Sequence, residues 1–251
     1  MPVLKLTKAH GLGNDFLVLV DLADVFAARA GGLAAALCQR RTGVGADGLI
    51  RVLAGKDGAD LTMDLRNADG SPAEMSGNGI RCMAQAVVDL GVHPGPELRI
   101  ATPGGIRELV VHPEERPGLR SVTVDMGVAR MVRTEQGRSE VDVGNPHLVL
   151  LEGGQDLLDL GRRHAEVNLE LVAVDRPDHL TMRVHERGVG ITEACGTGSC
   201  AAAVASRAWG LSGDHVTVRN PGGDLVVDLD GDRARLTGPT ERIARVEVTC
   251  P

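Results

Sequence analysis

The chain contains an internal repeat, and this repeat limits the folds open to it more than any other feature. Three pairs of motifs correspond in the same order: GNDF at 13–16 with GNPH at 144–147, TMDLRN at 62–67 with TMRVHE at 181–186, and SGNG at 76–79 with CGTG at 195–198. The last two pairs are 119 residues apart, and so are Gly91 and Gly210, at which the following apolar stretches stop. Three matches in one order with nearly constant spacing are not expected by chance. We therefore predict two homologous halves.

Both halves carry the same order of strand and helix signals. Short apolar runs at 17–20 and 148–151 suit buried strands, and apolar residues alternate with polar ones at 61–65 and 182–184. The alanine-containing stretches that follow the glycine turns end in glycine, which is typical of helices. Further strands are predicted at 98–102, 106–111, 121–126, 215–219, 224–228, 234–237 and 242–249.

These signals predict an α+β fold of two homologous lobes, residues 1–115 and 116–237. Each lobe is expected to be a mainly antiparallel curved sheet or barrel around one central helix, with the active site in the cleft between the lobes. The Pro-rich segment VHPEERPG at 111–118 marks the expected boundary. The final strand, within residues 238–251, can return to the first lobe.

Composition excludes several classes of function. A net charge of −7 and only three aromatic residues argue against nucleic-acid binding, which needs clustered cations and stacking platforms. No apolar run approaches 18 residues, so no membrane span is expected. The start of the chain has no apolar run of signal-peptide length, which predicts a cytoplasmic protein. Five cysteines, an odd number, then indicate free thiols.

Two motifs that can suggest cofactor binding do not have the required context. GVGADG at 43–48 matches the dinucleotide pattern, but a helix-like stretch precedes it and a strand follows, which is the reverse of the nucleotide-binding order. A glycine-rich turn is the better interpretation. Cys195 and Cys200 form an isolated pair without matching histidines, so no zinc site is expected.

The two repeated glycine turns lead into predicted helices, where free backbone N–H groups and the helix dipole attract anions. A helix N-terminus is also expected to lower the pKa of the Cys195 thiol. A free cysteine is often only a small buried residue. Cys195, however, lies in a polar turn, and this position predicts a functional role. The other internal cysteines lie in apolar, helix-like stretches: Cys38, Cys82 and Cys200.

Facing lobes would place Ser76 and Cys195 on opposite walls of one cleft, which suits a reaction that takes a proton from one face of a carbon and returns it on the other. Side-chain amides both donate and accept hydrogen bonds, as an ammonium and a carboxylate require. Glu186 offers a carboxylate for the ammonium, and Arg187 a guanidinium for a second carboxylate. Each asparagine alone is as well explained as a turn residue, but five lie in or beside the repeated motifs: Asn14, Asn67, Asn78, Asn145 and Asn168.

Six segments together resemble the diaminopimelate epimerase family: HGLGNDF at 10–16, GVGADG at 43–48, RNADGS at 66–71, GNGIRC at 77–82, GNPH at 144–147 and ERGVGITEACGTGSCAA at 186–202. The match runs through nearly the whole chain in the family's order. It implies a two-lobed isomerase without pyridoxal phosphate or another cofactor, which interconverts the LL and meso forms of 2,6-diaminopimelate for lysine and cell-wall synthesis. It also implies that one cysteine thiolate takes the α-proton while the opposite thiol returns one.

The resemblance assigns the residues of the site. The family's second catalytic cysteine falls on Cys195, and its first falls on Ser76. His147 and Glu186 match supporting polar residues. The implied substrate-binding positions are Asn14, Asn67, Gly77, Asn78, Asn145, Asn168, Glu186, Arg187, Gly196 and Thr197.

Ser76 departs from the family's pattern, because a serine hydroxyl is a far weaker acid than a thiol. Cys82 cannot replace it, since six residues along a helix is about 9 Å of rise and about 600° of turn. Three explanations stay open: Ser76 works in a modified mechanism, the chain is an engineered cysteine-to-serine variant, or it is a relative with another substrate or without turnover, such as a binding protein. A pyridoxal-dependent racemase is disfavoured because all three lysines lie within the first 56 residues.

The family resemblance also bears on assembly. Its members are commonly homodimers with a tyrosine near the C-terminus at the subunit contact, and that position falls here on Ala244, after LTGP at 236–239. We keep a homodimer as the default expectation. The expected ligand is a small-molecule substrate, with no metal, nucleic acid or membrane partner.

Overall fold

The computed structural model of the protein describes residues 3–73 and 75–250. The chain divides into two units, Met1–Val124 together with Pro239–Pro251 and Asp125–Gly238. The Pro-rich segment 111–118 lies in the first unit, and both crossings between the units occur inside long strands. Each unit is a sheet with one helix buried in it, which confirms the predicted α+β fold of two related lobes.

The first unit contains these elements: β1 (Val3–Gly11), β2 (Asn14–Val20), a 3-10 turn (Ala27–Arg29), α1 (Ala30–Leu37), β3 (Gly48–Ala54), β4 (Leu61–Asn67), α2 (Gly77–Asp89), β5 (Glu97–Thr102), β6 (Gly105–Val111) and β7 (Leu119–Val128), which runs into the second unit. The second unit contains β8 (Arg130–Glu135), β9 (Arg138–Asp142), β10 (Pro146–Leu151), α3 (Leu157–Arg163), β11 (Asn168–Arg176), β12 (His179–Glu186), β13 (Gly190–Thr192), α4 (Gly196–Ala208), β14 (His215–Asn220), β15 (Gly223–Asp230) and β16 (Arg233–Thr249), which runs back into the first.

The strands of the first unit close into a ring in the order β1, β2, β3, β4, β5, β6, β7, β16, with β16 also pairing to β1. The pairs β2–β3 and β4–β5 are parallel, and the other registered pairs are antiparallel. The ring encloses α2, most of whose residues are buried, including Ile80, Met83 and Val87. A helix buried on all sides is usually apolar all round, but α2 also buries the polar side chains of Arg81 and Gln85.

The second unit repeats this topology. Its sheet runs β16, β15, β14, β12, β11, β10, β9, β8, with β13 added to β12. The parallel pairs β10–β11 and β12–β14 correspond to β2–β3 and β4–β5 of the first unit. Helix α4 contacts strands along most of this sheet, and its alanines 201, 202, 203 and 205 are fully buried. Small side chains let the strands approach the helix closely, so the alanine-rich stretch is a packing requirement.

The C-terminal segment differs from its prediction. The two strands expected at 234–237 and 242–249 are one 17-residue strand, β16. The predicted interruption covers GPTE at 238–241, but Thr240 is almost fully buried there, and its Oγ1 donates to Gln85 Oε1 at 3.0 Å. The proline therefore does not end the strand. Within the described residues, no helix is both long and apolar enough to cross a membrane.

The first unit also buries a charge inside its sheet. Arg51 on β3 is only 3% exposed, and its guanidinium donates to the carboxylates of Asp21 at 2.9 Å, Asp24 at 2.6 Å and Asp64 at 2.6 Å. Because buried charges are tolerated when they are paired and hydrogen-bonded, this cluster accounts for the arginine.

Candidate active site

Ser76 and Cys195 are the N-cap residues of α2 and α4, and their backbones are nearly identical. Ser76 has φ −124° and ψ 121°, and Cys195 has φ −126° and ψ 117°. Ser76 Oγ accepts from the N–H of Gly79 at 3.0 Å, and Cys195 Sγ accepts from the N–H of Gly198 at 3.4 Å. Serine is a preferred N-cap residue, so the hydroxyl satisfies this position as the sulfur does in the other unit.

The residues after each N-cap leave an anion site open. The N–H groups of Gly77 and Asn78, and likewise those of Gly196 and Thr197, have no acceptor among residues 3–73 and 75–250. Free N–H groups at a helix N-terminus bind carboxylates and phosphates. Each helix entrance can therefore hold one small anion beside its Ser76 or Cys195 side chain.

Asn14 and Asn78 come together in the first unit. Asn78 Nδ2 donates to Asn14 Oδ1 at 3.4 Å, and Asn14 Nδ2 donates to Asp47 Oδ2 at 2.8 Å. Asn67, at the end of β4, is exposed and donates instead to Ser71 Oγ at 3.0 Å. Asp47, in the GVGADG turn, thus fixes the amide of Asn14, a role that the nucleotide pattern did not indicate.

A charged network holds this part of the site. Arg40 donates to Asp15 Oδ1 at 2.8 Å and to Asp47 Oδ1 at 2.7 Å, and Lys8 Nζ lies 3.1 Å from Asp15 Oδ2. Burial alone would raise the pKa of the Asp15 carboxyl, but the hydrogen bonds and charges of Arg40 and Lys8 outweigh it and hold the pKa below its ordinary 3.8. Asp15 stays ionised and anchors both cations.

This network predicts an acid-dependent loss of stability. A carboxyl whose pKa is depressed in the folded protein contributes stability above its unfolded value of 3.8, and that stability is lost as the pH falls through the lower folded value. Urea unfolding between pH 6 and about pH 2 should therefore show a steeper loss for the wild type than for Asp15→Asn. Asp57→Asn, in an exposed turn, controls for the loss of one acid. Equal pH slopes for wild type and Asp15→Asn would contradict the assignment.

In the second unit, a hydrogen-bonded chain leads from a buried carboxylate to the Cys195 sulfur. Glu170 Oε1 lies 2.7 Å from His147 Nδ1, and His147 Nε2 lies 2.9 Å from Asn145 Oδ1. Asn145 Nδ2 donates to Thr197 Oγ1 at 3.4 Å, and Thr197 Oγ1 lies 3.5 Å from Cys195 Sγ. The structure thus brings together four site residues expected from the sequence, His147, Asn145, Thr197 and Cys195, and joins Glu170 to them.

Glu170 was not foreseen as a site residue. Its side chain is fully buried, and Oε2 has no hydrogen-bond partner among the described residues. A Cβ placed on Gly198 would lie 2.7 Å from Glu170 Oε1, so only glycine fits that position without a shift. The signal was present in the sequence, because NLELVAV at 168–174 places a carboxylate in an otherwise apolar run.

The remaining site residues lie at the end of β12 and the start of β11. Asn168 Oδ1 accepts from the backbone N–H of Arg187 at 2.9 Å, and Asn168 Nδ2 donates to the carbonyl of Pro146 at 3.3 Å. Glu186 Oε1 accepts from Thr192 Oγ1 at 2.5 Å. The exposed Arg187 guanidinium has no partner among the described residues, so it is available to a carboxylate.

The environment of Cys195 favours the protonated thiol, and the expectation of a lowered pKa is wrong. Burial raises the pKa of Cys195 well above its ordinary value, and the negative charges of Glu186 and Glu170 raise it further. Hydrogen bonds from Thr197 and the Gly198 N–H oppose this increase without reversing it. The charges and burial around Cys195 therefore disfavour its thiolate.

The other cysteines do not share this environment. Burial first of all raises the pKa of Cys38 and of Cys82 to about 11, and that of Cys200 to about 12. Cys82 Sγ accepts from Thr240 Oγ1 at 3.5 Å. Within the part of the chain that is described, no cluster of three or more histidine, cysteine or acidic side chains could hold a metal ion.

Comparison with known proteins identifies similar sequences and folds. The diaminopimelate epimerase family matches residues 6–132 and 140–243. A diaminopimelate epimerase from Gloeothece citriformis is 37% identical over 96% of this chain and 97% of its own length, and one from Rhodococcus jostii is 39% identical over 95% and 94%. Among solved structures, a predicted epimerase from Pseudomonas aeruginosa shares the fold, with a TM-score of 0.76 and 15% identity over 99% of this chain and 100% of that one.

Proposed function

Since the chain belongs to the diaminopimelate epimerase family, we propose that it interconverts LL- and meso-2,6-diaminopimelate by moving the α-proton through Cys195 and Ser76. The protein is an isomerase, and its reaction belongs to lysine biosynthesis. The observation that carries the proposal is the pair of matched N-caps, each beside free N–H groups that can hold a carboxylate.

The chemistry divides between the two N-cap residues. A base takes the α-proton, the electron pair of the broken C–H bond moves into the adjacent carboxylate, and an acid delivers a proton to the opposite face. When LL-diaminopimelate is converted to the meso isomer, Cys195 is the acid, because its raised pKa favours the protonated thiol, and the two roles exchange in the reverse reaction. Ser76 occupies the position of the base, and its hydroxyl ionises so little at neutral pH that turnover is slow.

The polar residues around the N-caps suit the rest of the substrate. Glu186 is placed to accept hydrogen bonds from an ammonium, and the free Arg187 guanidinium is suited to a carboxylate at the far end. We further propose that the protein acts on the free amino acid in the cytoplasm. A homodimer is proposed as the default assembly, and light scattering during size-exclusion chromatography measures it.

The proposal is tested by α-proton exchange in D2O. LL-Diaminopimelate incubated with a high enzyme concentration should gain α-deuterium and form the meso isomer, both followed by NMR and chiral chromatography. Because the two acid–base groups are unequal, one stereoisomer should exchange its α-proton faster than it inverts. No deuterium uptake and no meso isomer would overturn the proposed function.

Ser76 supports a second candidate, a protein that binds diaminopimelate with little or no turnover. Measurable affinity for diaminopimelate, no exchange by the wild type, and exchange restored in Ser76→Cys would favour this alternative. A panel of other amino acids tests a racemase with a different substrate. Arg187→Met should weaken binding of diaminopimelate more than binding of a monocarboxylic amino acid.

A further inference from the structure

Arg81, on α2, is a buried cation without a carboxylate. Its side chain is 0% exposed, and its guanidinium donates to Asn78 Oδ1 at 2.7 Å, to the Gly77 carbonyl at 3.0 Å and to the Pro239 carbonyl at 3.3 Å. No carboxylate of the described residues lies within 4.0 Å of it. Arg51, the other arginine buried in this unit, is neutralised by three aspartates.

The repeat indicates that the fold does not require this arginine. The residue 119 positions later, in the corresponding place on α4, is Cys200, which is also fully buried. The guanidinium of Arg81 packs against Gly11 on β1, where any larger residue would clash, since a Cβ on Gly11 would lie 2.9 Å from Arg81 Nη2. Both units thus form the same buried helix, but only the first carries a charge there.

An isolated buried charge is unfavourable unless an opposite charge joins it. Burial lowers the pKa of Arg81 to about 10, which still leaves it protonated at neutral pH. Its hydrogen-bond partners Gly77 and Asn78 form the first turn of α2, where two backbone N–H groups have no acceptor among the described residues. The charge therefore lies next to a place that is already suited to an anion.

We propose that Arg81 is a positioning residue that supplies the positive charge for a substrate carboxylate bound at the N-terminus of α2 and fixes the orientation of the Asn78 amide. The proposal rests on the proposed function, because the carboxylate is that of diaminopimelate. Arg81 Nη2 holds Asn78 Oδ1, which leaves Asn78 Nδ2 directed at Asn14. When the α-proton leaves, negative charge grows on the carboxylate, so Arg81 stabilises the carbanion more than the substrate.

The test compares Arg81→Met, Arg81→Lys and Gln85→Met by calorimetric titration with LL-diaminopimelate and by steady-state kinetics. Gln85 is the matched control: it lies one turn further along α2, is 1% exposed, and donates to the Gly118 carbonyl at 2.6 Å without carrying charge. Arg81→Met should raise Kd at least about 30-fold and also lower kcat. Arg81→Lys should recover most of the affinity, and Gln85→Met should stay within about threefold of the wild type.

The outcomes separate this proposal from the proposed function. A wild-type protein that fails to bind diaminopimelate would overturn both. Normal binding by the wild type with an unchanged Kd in Arg81→Met would overturn only the role of Arg81. The role of Arg81 would also be overturned if Gln85→Met weakened binding as much as Arg81→Met, because the effect would then come from the packing of α2. If Arg81→Met does not fold, Arg81→Lys decides: affinity close to that of the wild type would support the role of the positive charge, and affinity lost without a change in its thermal unfolding would overturn it.

Discussion

Replacing Ser76 by cysteine is expected to raise the rate of meso-diaminopimelate formation by roughly 10²- to 10⁴-fold, the range that a positioned acid–base group contributes. A serine hydroxyl takes no proton without a neighbouring base, whereas an ordinary thiol ionises near pH 8.5. The N-cap dihedral angles of Ser76 and Cys195 differ by only a few degrees. The new sulfur should therefore occupy the position of the hydroxyl without a change in the backbone.

The surroundings of position 76 favour a thiolate more than those of Cys195 do. In the second unit, Glu170 packs against Gly198, and its charge helps to raise the pKa of Cys195. In the first unit, Ile50 packs against the corresponding Gly79, and the cation of Arg81 lies along the same helical turn. A thiol at position 76 is thus expected to be the base, with Cys195 as the acid.

Two measurements check this prediction. The rate of meso isomer formation is compared among wild type, Ser76→Cys and Ser121→Cys, which adds a thiol on β7 away from the site. The pH dependence of iodoacetamide labelling should show that the new thiol reacts at lower pH than Cys195. A Ser76→Cys variant that binds LL-diaminopimelate but forms the meso isomer no faster than the wild type would show that the hydroxyl does not limit turnover.

The repeat made much of this fold predictable, because two copies of the same pattern support each other. The turns SGNG and CGTG marked both central helices, although the helices begin at Gly77 and Gly196, three residues before the apolar stretches. The glycines belong to the first turn because the Ser76 and Cys195 side chains cap it. The sequence pattern therefore predicted both helices correctly but placed the start of each three residues too far along the chain.

Strand β8, which has no buried face, was not predicted. Strand β8 lies at one end of the sheet path, and its residues are exposed or only partly buried, so no alternation of apolar residues marks it. Charged groups that act on other side chains were missed for a different reason. Asp47 and Glu170 are distant in sequence from Asn14 and His147, which they contact, and only the folded chain brings these pairs together.

The comparison of the two units shows why the polar groups of the second unit are not a folding requirement. In the parallel strand pair β10–β11, His147 lies opposite Asn168. In the corresponding pair β2–β3 of the first unit, Phe16 lies opposite Gly48. Two residues further along the second strand of each pair lie Glu170 and Ile50. An apolar Phe16–Ile50 combination therefore serves the same fold, and the buried His147–Glu170 pair is better explained by chemistry at Cys195.

Removing the Cys195 thiol should have the second large effect. In Cys195→Ala, formation of the meso isomer should fall by at least about 10²-fold, since the proton donor is lost and Ser76 cannot replace it. The affinity for LL-diaminopimelate should change little, because the proposed contacts to the substrate come from backbone N–H groups, asparagine amides and Arg187. Isomer formation followed by chiral chromatography and Kd from calorimetry measure the two effects separately.

Cys200→Ala provides the matched control for this loss. Cys200 lies five residues further along α4, is fully buried, and has its pKa raised to about 12 by burial. Its removal leaves only a small cavity, which should cost about 1 kcal/mol of unfolding free energy and leave the rate unchanged. If both variants lost activity equally, the cause would be the packing of α4. If Cys195→Ala kept the wild-type rate, Cys195 would not be the proton donor, and the acid would have to lie elsewhere in the second unit.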